Sequence, residues 1–194
     1  MNVINKSKTD RILASGKVKL NLGSGHHNYP DYINIDLNPE VSTDIDIQHD
    51  ITDLSIFPDD SIDEVVCYHV IEHLGHRKVP EFFREIFRVL KTGGKFTFET
   101  PNLAAALEQF CKKRANSGEI QGDIGDNSIY HTIYGGQQDA GSVHLGCFTR
   151  WQLMVMLKWA GFEETKIVPE LPLRGVEYGP DWNIRLVCIK EKIS

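Results

Sequence analysis

Between Lys17 and Leu22 the chain alternates polar and apolar positions (KVKLNL) and then breaks at Gly23-Ser24-Gly25, which predicts a strand running into a tight turn. A second strand, YINIDL, follows from Tyr32, and STDIDIQHDI, from Ser42 to Ile51, is a third candidate. After the turn FPDDS, the β-branched run IDEVVCYHV, from Ile62 to Val70, suits a central buried strand. Helical spacing takes over at Val79. Val79, Phe83, Ile86, Phe87 and Leu90 fall on one face, with Pro80 in the first turn, where its missing N–H costs nothing. Gly93-Gly94 stops that helix, and KFTFET, from Lys95, gives a fifth strand closed by Pro101-Asn102.

The texture then changes. Residues 115–147 hold seven glycines among polar and aromatic residues and show no sustained period, which predicts an insertion over about residues 102–149. Thr149 and Gln152 have the spacing of a capping box for a helix ending at Ala160, with Gly161 as its stop signal. ETKIVPE and IRLVCIKE complete the pattern as two last strands. Strands alternating with helices predict one α/β domain over residues 1–194, its sheet mainly parallel and its ligand site at the carboxyl ends of the strands.

At 194 residues the chain is long enough to bury a core without disulfides or metal. Its net charge of −6 gives no general attraction to nucleic acid or to an anionic membrane, so neither is an expected partner. Cys67, Cys111, Cys147 and Cys188 form no C-x-x-C pair, and MNVINKSKTDR has no apolar signal-peptide core; a reducing cytoplasm is the expected location. No apolar run reaches the roughly 18 residues that a membrane span needs. The oligomeric state stays open.

LNLGSG, INIDL, HDITDL, FPDDSIDEVVCYHVIEHL, FREIFRVLKTGGKFTFETPN and WAGF occur in an order and spacing that resemble the class I (Rossmann-like) S-adenosylmethionine-dependent methyltransferases, of the small methyltransferase-domain type. The resemblance implies a three-layer α/β sandwich with a seven-stranded, mostly parallel sheet whose last strand is antiparallel, and S-adenosyl-L-methionine as cofactor. It places Asn21, Gly23, Ser24 and Gly25 against the methionyl part of the cofactor, where glycines allow close backbone approach. Asp36, with Leu37 beside it, would accept the ribose hydroxyls. Asp50 and Ile51 would hold the adenine, with Asp53 an alternative carboxylate. Tyr68 and His69 would line the pocket. Three positions depart from the family pattern: Asn21 replaces an acidic residue, His27 a glycine, and Thr92 a proline. Only 13 positions separate Gly23 from Asp36, against roughly 20 in a full dinucleotide-type unit, so the first crossover helix is expected to be a stub or absent.

Read as a spacing alone, His69 to His73 is also His-x-x-Glu-His, a zinc peptidase pattern. Zinc needs a third protein ligand and a long helix, and Gly75 interrupts any helix here, so the expectation is no metal. The resemblance gives the stretch another role, as a turn beside the transferable methyl. Methyl transfer is mostly a matter of alignment, with a base needed only for a hydroxyl acceptor. His69, His144 and Tyr134 are the candidate catalytic groups, with His131 and Asp139 as further bases. IYGGQ followed by His144 and by Phe148-Thr149 resembles a subset of these enzymes associated with sugar or polysaccharide chemistry. A small-molecule or glycan acceptor is therefore expected, bound by the insertion. The alternatives are a non-catalytic protein that keeps the fold for binding or scaffolding, and a nicotinamide enzyme; G-x-G-x-x-G is missing for the latter.

Overall fold

The computed structural model describes residues 1–38, 44–116, 128–138, 140–166 and 183–191. The expected strands form as β2 (Lys19–Leu22), β3 (Ile33–Asp36), β4 (Ile47–Gln48), β5 (Ile62–Tyr68), β6 (Leu90–Pro101), β7 (Glu164–Lys166) and β8 (Asn183–Ile189). The start of the third candidate strand, at Ser42, lies outside the described residues, as do the last four residues of ETKIVPE. A short N-terminal strand, β1 (Asn2–Val3), extends the sheet by one beyond the expected seven, pairing antiparallel with β4. The strand order is β1-β4-β3-β2-β5-β6-β8-β7. Pairing is parallel from β4 through β6, and β8 runs antiparallel to both of its neighbours.

The β-branched run predicted to be central is so: Val65 and Cys67 of β5 are wholly buried between β2 and β6. Helix α2 (Val79–Val89) buries Val79, Phe82, Phe83, Ile86 and Val89, and packs beside α5 (Arg150–Ala160). Phe83, Phe96, Phe98 and Phe162 fill the space between these helices and the sheet, their rings in contact. The predicted capping box is present in full. The Thr149 hydroxyl accepts from the Gln152 N–H, and Gly161 closes α5 at φ 114°, with the Phe87 ring directly against it. Burial of such rings is what makes a helix stripe hold; truncating one fully buried phenylalanine costs about 3–5 kcal/mol.

Helix α1 (Lys6–Ala14) precedes β2, and no helix intervenes between β2 and β3. A loop from Gly23 to Tyr32 makes that parallel crossover, and a buried polar network stands where a helix would supply apolar contacts. Asn34 on β3 accepts from Asn21 Nδ2 (2.9 Å) and from the Tyr29 N–H (3.0 Å). It also donates to the Tyr29 carbonyl and to Asp46. Lys8 reaches from α1 to Asp46 (2.6 Å) and to the Tyr29 carbonyl (3.2 Å), tying the helix to the loop.

The insertion contains structure that its composition hides: α3 (Leu103–Asn116) follows β6, and α4 (Ser128–Tyr134) leads to a bridge between Gly135 and Val143. Among the described residues no helix is long and apolar enough to cross a membrane. All four cysteines are free thiols.

Candidate functional site

The carboxyl ends of β2, β3, β4 and β5 converge on one edge of the sheet. At the end of β2 the chain turns through Gly23 (φ 65°) and Gly25 (φ 49°), a region L side chains enter at a cost. A Cβ on Gly23 would stand 2.4 Å from a Val70 methyl, whereas one on Gly25 would meet nothing within 4 Å. The first glycine is thus required by packing, and the second leaves backbone facing open space. Ser24 is buried between them, and its hydroxyl has no hydrogen-bond partner. A buried hydroxyl without a partner beside a bare backbone turn fits the polar end of a ligand. Asp36 closes the turn: Oδ2 accepts the Gly25 N–H (2.9 Å) and Oδ1 the Asn38 N–H (3.0 Å). Each oxygen keeps a second lone pair, so the carboxylate can still accept hydroxyls.

Asn21, predicted beside the cofactor, is buried beneath the turn, where Nδ2 donates to the His27 carbonyl (2.7 Å) and to Asn34. It supports the loop from below. Leu37 is exposed at the rim, and Ile51 is buried in the hydrophobic core. Asp50 is exposed at the strand ends; Oδ1 accepts both the N–H and the hydroxyl of Thr52. Burial pushes the Asp50 pKa up, but these two bonds outweigh it and leave the carboxyl below its ordinary range. Asp53 spends Oδ1 on the Ser55 N–H.

Tyr68 ends β5 with the Arg185 guanidinium 5.5 Å from its ring centroid, and burial holds its phenol protonated. His69, next in the chain, has φ 54°, an uncommon conformation costing of order 1–3 kcal/mol. That backbone delivers its ring between two carboxylates: Nε2 lies 3.2 Å from Glu99 and Nδ1 3.3 Å from Glu72. Burial lowers the pKa of His69, but Glu72 and Glu99 reverse the effect and raise it to about 9. It is an imidazolium at neutral pH, with both nitrogens donating. Such a ring has no lone pair to take a proton from an acceptor, so this geometry favours positioning over the base role expected from sequence. Glu99 is also bound by Asn183 (2.9 Å) and by Arg185, whose Nε lies at 2.7 Å. Neither Glu99 nor Arg185 was visible as a site residue in the sequence, because their partnership is made across the β6–β8 pairing.

Beyond His69 the chain enters a short 3-10 turn (Ile71–His73), not a long helix. The segment 143–146 crosses it: the Leu145 and Gly146 N–H groups donate to the Glu72 carbonyl, and His73 Nδ1 donates to the Val143 carbonyl (2.9 Å). His144 is thereby brought against His73, ring centroids 5.0 Å apart, with the His131 centroid 6.1 Å from that of His144. Burial, with the neighbouring histidines, keeps His144 below the usual histidine range and neutral. One ligand-capable atom from each of Glu72, His73 and His144 lies within 4.8 Å of the others. Tyr134 is half exposed, and its carbonyl accepts the His144 N–H (3.0 Å). Phe148, an aromatic of the insertion, is in the core and offers no surface to a ligand. Asp139 lies outside the described residues.

Residues 15–98 match the family model described as a methyltransferase domain, which covers the strands that carry the glycine turn, Asp36, Asp50 and His69. A protein of Mycolicibacterium smegmatis named as an S-adenosylmethionine-dependent methyltransferase is 46% identical over 59 residues, 30% of this chain and 22% of that protein. The match spans only about a fifth of its length. A SAM-dependent methyltransferase from Archaeoglobus fulgidus superposes with a TM-score of 0.61 at 15% identity, over 95% of this chain and 90% of that one. A methyltransferase structure from Listeria monocytogenes gives 0.59 at 15%, over 97% and 100%, and one from Methanosarcina mazei 0.57 at 17%, over 94% and 96%. Residues 15–98 are thus similar to a methyltransferase domain, and the fold is that of the solved S-adenosylmethionine-dependent methyltransferases.

Proposed function

We propose that the protein transfers the cofactor's methyl group to a small-molecule or glycan acceptor in the cytoplasm. The observation that carries this reading is the turn Gly23-Ser24-Gly25, with its unpartnered buried hydroxyl, closed by Asp36 at the next strand end. Gly25 and Ser24 would hold the methionyl end, Asp36 the ribose, and Asp50, through the oxygen that Thr52 leaves open, the adenine amine. When bound, the cofactor supplies a methyl group on a sulfonium, reactive toward a nucleophile approaching in line. The chain's own residues then have to align and desolvate. Tyr68 and His69, at the end of β5, would line the crevice, with the His69 ring held between Glu72 and Glu99. Tyr130 and Tyr134 on α4 present rings that are 61% and 51% exposed, of a kind suited to stacking on a sugar or another ring. Calorimetry with S-adenosylmethionine, followed by mass-spectrometric screening of hydroxyl-bearing acceptors, tests the proposal. Well-folded protein that takes up no cofactor at millimolar concentration would end it, in favour of a scaffolding role.

A further inference from the structure

We propose that Glu72, His73 and His144 form a binding site for a divalent transition-metal ion, zinc being the best match. The sequence argued against a metal because no third ligand and no long helix were in sight. The fold supplies the third group differently, by laying the segment 143–146 across the 3-10 turn.

Four observations carry the assignment. The three ligand-capable atoms already lie within 4.8 Å of one another; metal bonds of about 2.1 Å would bring them to about 3.4 Å, a closure that side-chain rotation can supply. Both imidazoles have their tautomer set. His73 Nδ1 donates to the Val143 carbonyl and His144 Nδ1 to the Thr132 carbonyl, each at 2.9 Å, which leaves the Nε2 lone pairs as the free donors. Orientation of a histidine by a backbone carbonyl on its far nitrogen is the usual support for a metal ligand. Glu72 is only 2% exposed; His69 contacts Oε1 and the Thr100 hydroxyl (3.0 Å) donates to Oε2, so an ion would take a further lone pair of one of these oxygens. Finally, the backbones are fixed to each other by Leu145 and Gly146 donating to Glu72 and by His144 donating to Tyr134.

Two imidazoles and one carboxylate select zinc and its transition-metal neighbours over calcium or magnesium, which prefer all-oxygen sites. Three protein ligands leave a fourth position for water or for an oxygen of the acceptor. On the methyltransferase reading above, an ion held there would polarise an acceptor hydroxyl: the O–H proton would pass to solvent water, and the oxygen would form the new C–O bond as the methyl–sulfur bond breaks and its electron pair returns to sulfur, leaving a neutral thioether. This assigns the acceptor as a hydroxyl compound and the product as an ether.

The test is titration of the metal-stripped, full-length protein with zinc ion alone, and with cobalt(II) for its visible absorption. One ion per chain is expected, with a tetrahedral or five-coordinate cobalt spectrum. His73→Asn and His144→Asn keep a donor for the carbonyls while removing Nε2; each should weaken binding by at least the ~100-fold that losing even an outer partner can cost. Glu72→Gln should weaken it too, and the exposed His76→Ala should change nothing. Circular dichroism and cofactor calorimetry on the same variants separate loss of the metal from loss of the fold. Absence of stoichiometric binding, or binding indifferent to both histidine variants, overturns the site. Neither result depends on cofactor binding, so failure of the methyltransferase reading would show separately, in the calorimetry.

Discussion

Glu99 is 4% exposed and takes hydrogen bonds from His69, Asn183 and Arg185, so its negative charge persists in the interior only because cations stand against it. Removing one member of such a pair strands the other: Arg185→Met should destabilise the fold by about 3–5 kcal/mol in urea melts, far more than the same change at the exposed Arg84. Burial pushes the Glu99 pKa up, but His69 and Arg185 overcome it and hold the group below its ordinary 4.5. A depressed folded-state pKa contributes stability above the unfolded value that is lost as the pH falls through the folded one. Stability should therefore drop below about pH 4.5, and Glu99→Gln, though less stable at neutral pH, should show a shallower acid limb. Asp36 was legible from the sequence because strand end and carboxylate coincide in five residues. Asp36→Ala should weaken S-adenosylmethionine by about 1.5–3 kcal/mol in calorimetry, as a charged acceptor is lost. Glu99 and Arg185 were not legible, since nothing local in either sequence marks a partner 86 positions away.

Among elements, the strands and the two amphipathic helices α2 and α5 could be read because period and stop signals agree: the 3.6-residue stripe, Pro80 at the start, Thr149 and Gly161 as caps. The absent first crossover helix was equally legible, from the 13 positions between Gly23 and Asp36. The polar network under that loop was not, because Asn21, Asn34 and Asp46 read individually as strand residues of poor propensity. The insertion misled most. Its glycines suggest an open loop, yet two of them are bound by close contacts. A Cβ on Gly135 would stand 2.0 Å from the Ser142 carbonyl, and one on Gly146 would stand 2.7 Å from the Phe148 ring. The amides of His144, Leu145 and Gly146 donate to backbone carbonyls. Hydrogen exchange should therefore find these three amides protected in the free protein, to within about an order of magnitude of the β5 amides. Exchange at the rate of an unstructured peptide would mean that the segment 143–146 opens and that His144 is not held in place.

At the scale of the whole molecule the site divides in two. The proposed cofactor contacts come from the turns after β2, β3 and β4, within the first 53 residues, and none of them passes through the segment 143–146. The proposed acceptor side joins the turn after β5 to the segment 143–146, and His69, whose ring bridges Glu72 to Glu99, stands between the two. From the sequence, the His-Glu-His stretch is expected to be a turn beside the transferable methyl, with no metal. The metal site proposed above predicts the opposite, because it joins His144 to that stretch. Protein dialysed against a chelator should keep its S-adenosylmethionine affinity within about threefold, since a change under ~0.7 kcal/mol is all that an unconnected site transmits. Turnover of a hydroxyl acceptor should fall by about 100-fold or more and return with zinc, the loss expected when an alcohol must ionise without a Lewis acid. His144→Asn should copy the chelated enzyme and gain nothing from added zinc. Chelation that abolishes cofactor binding as well would show the halves to be one cooperative unit, and turnover untouched by chelation would leave the ion, if bound, a structural one.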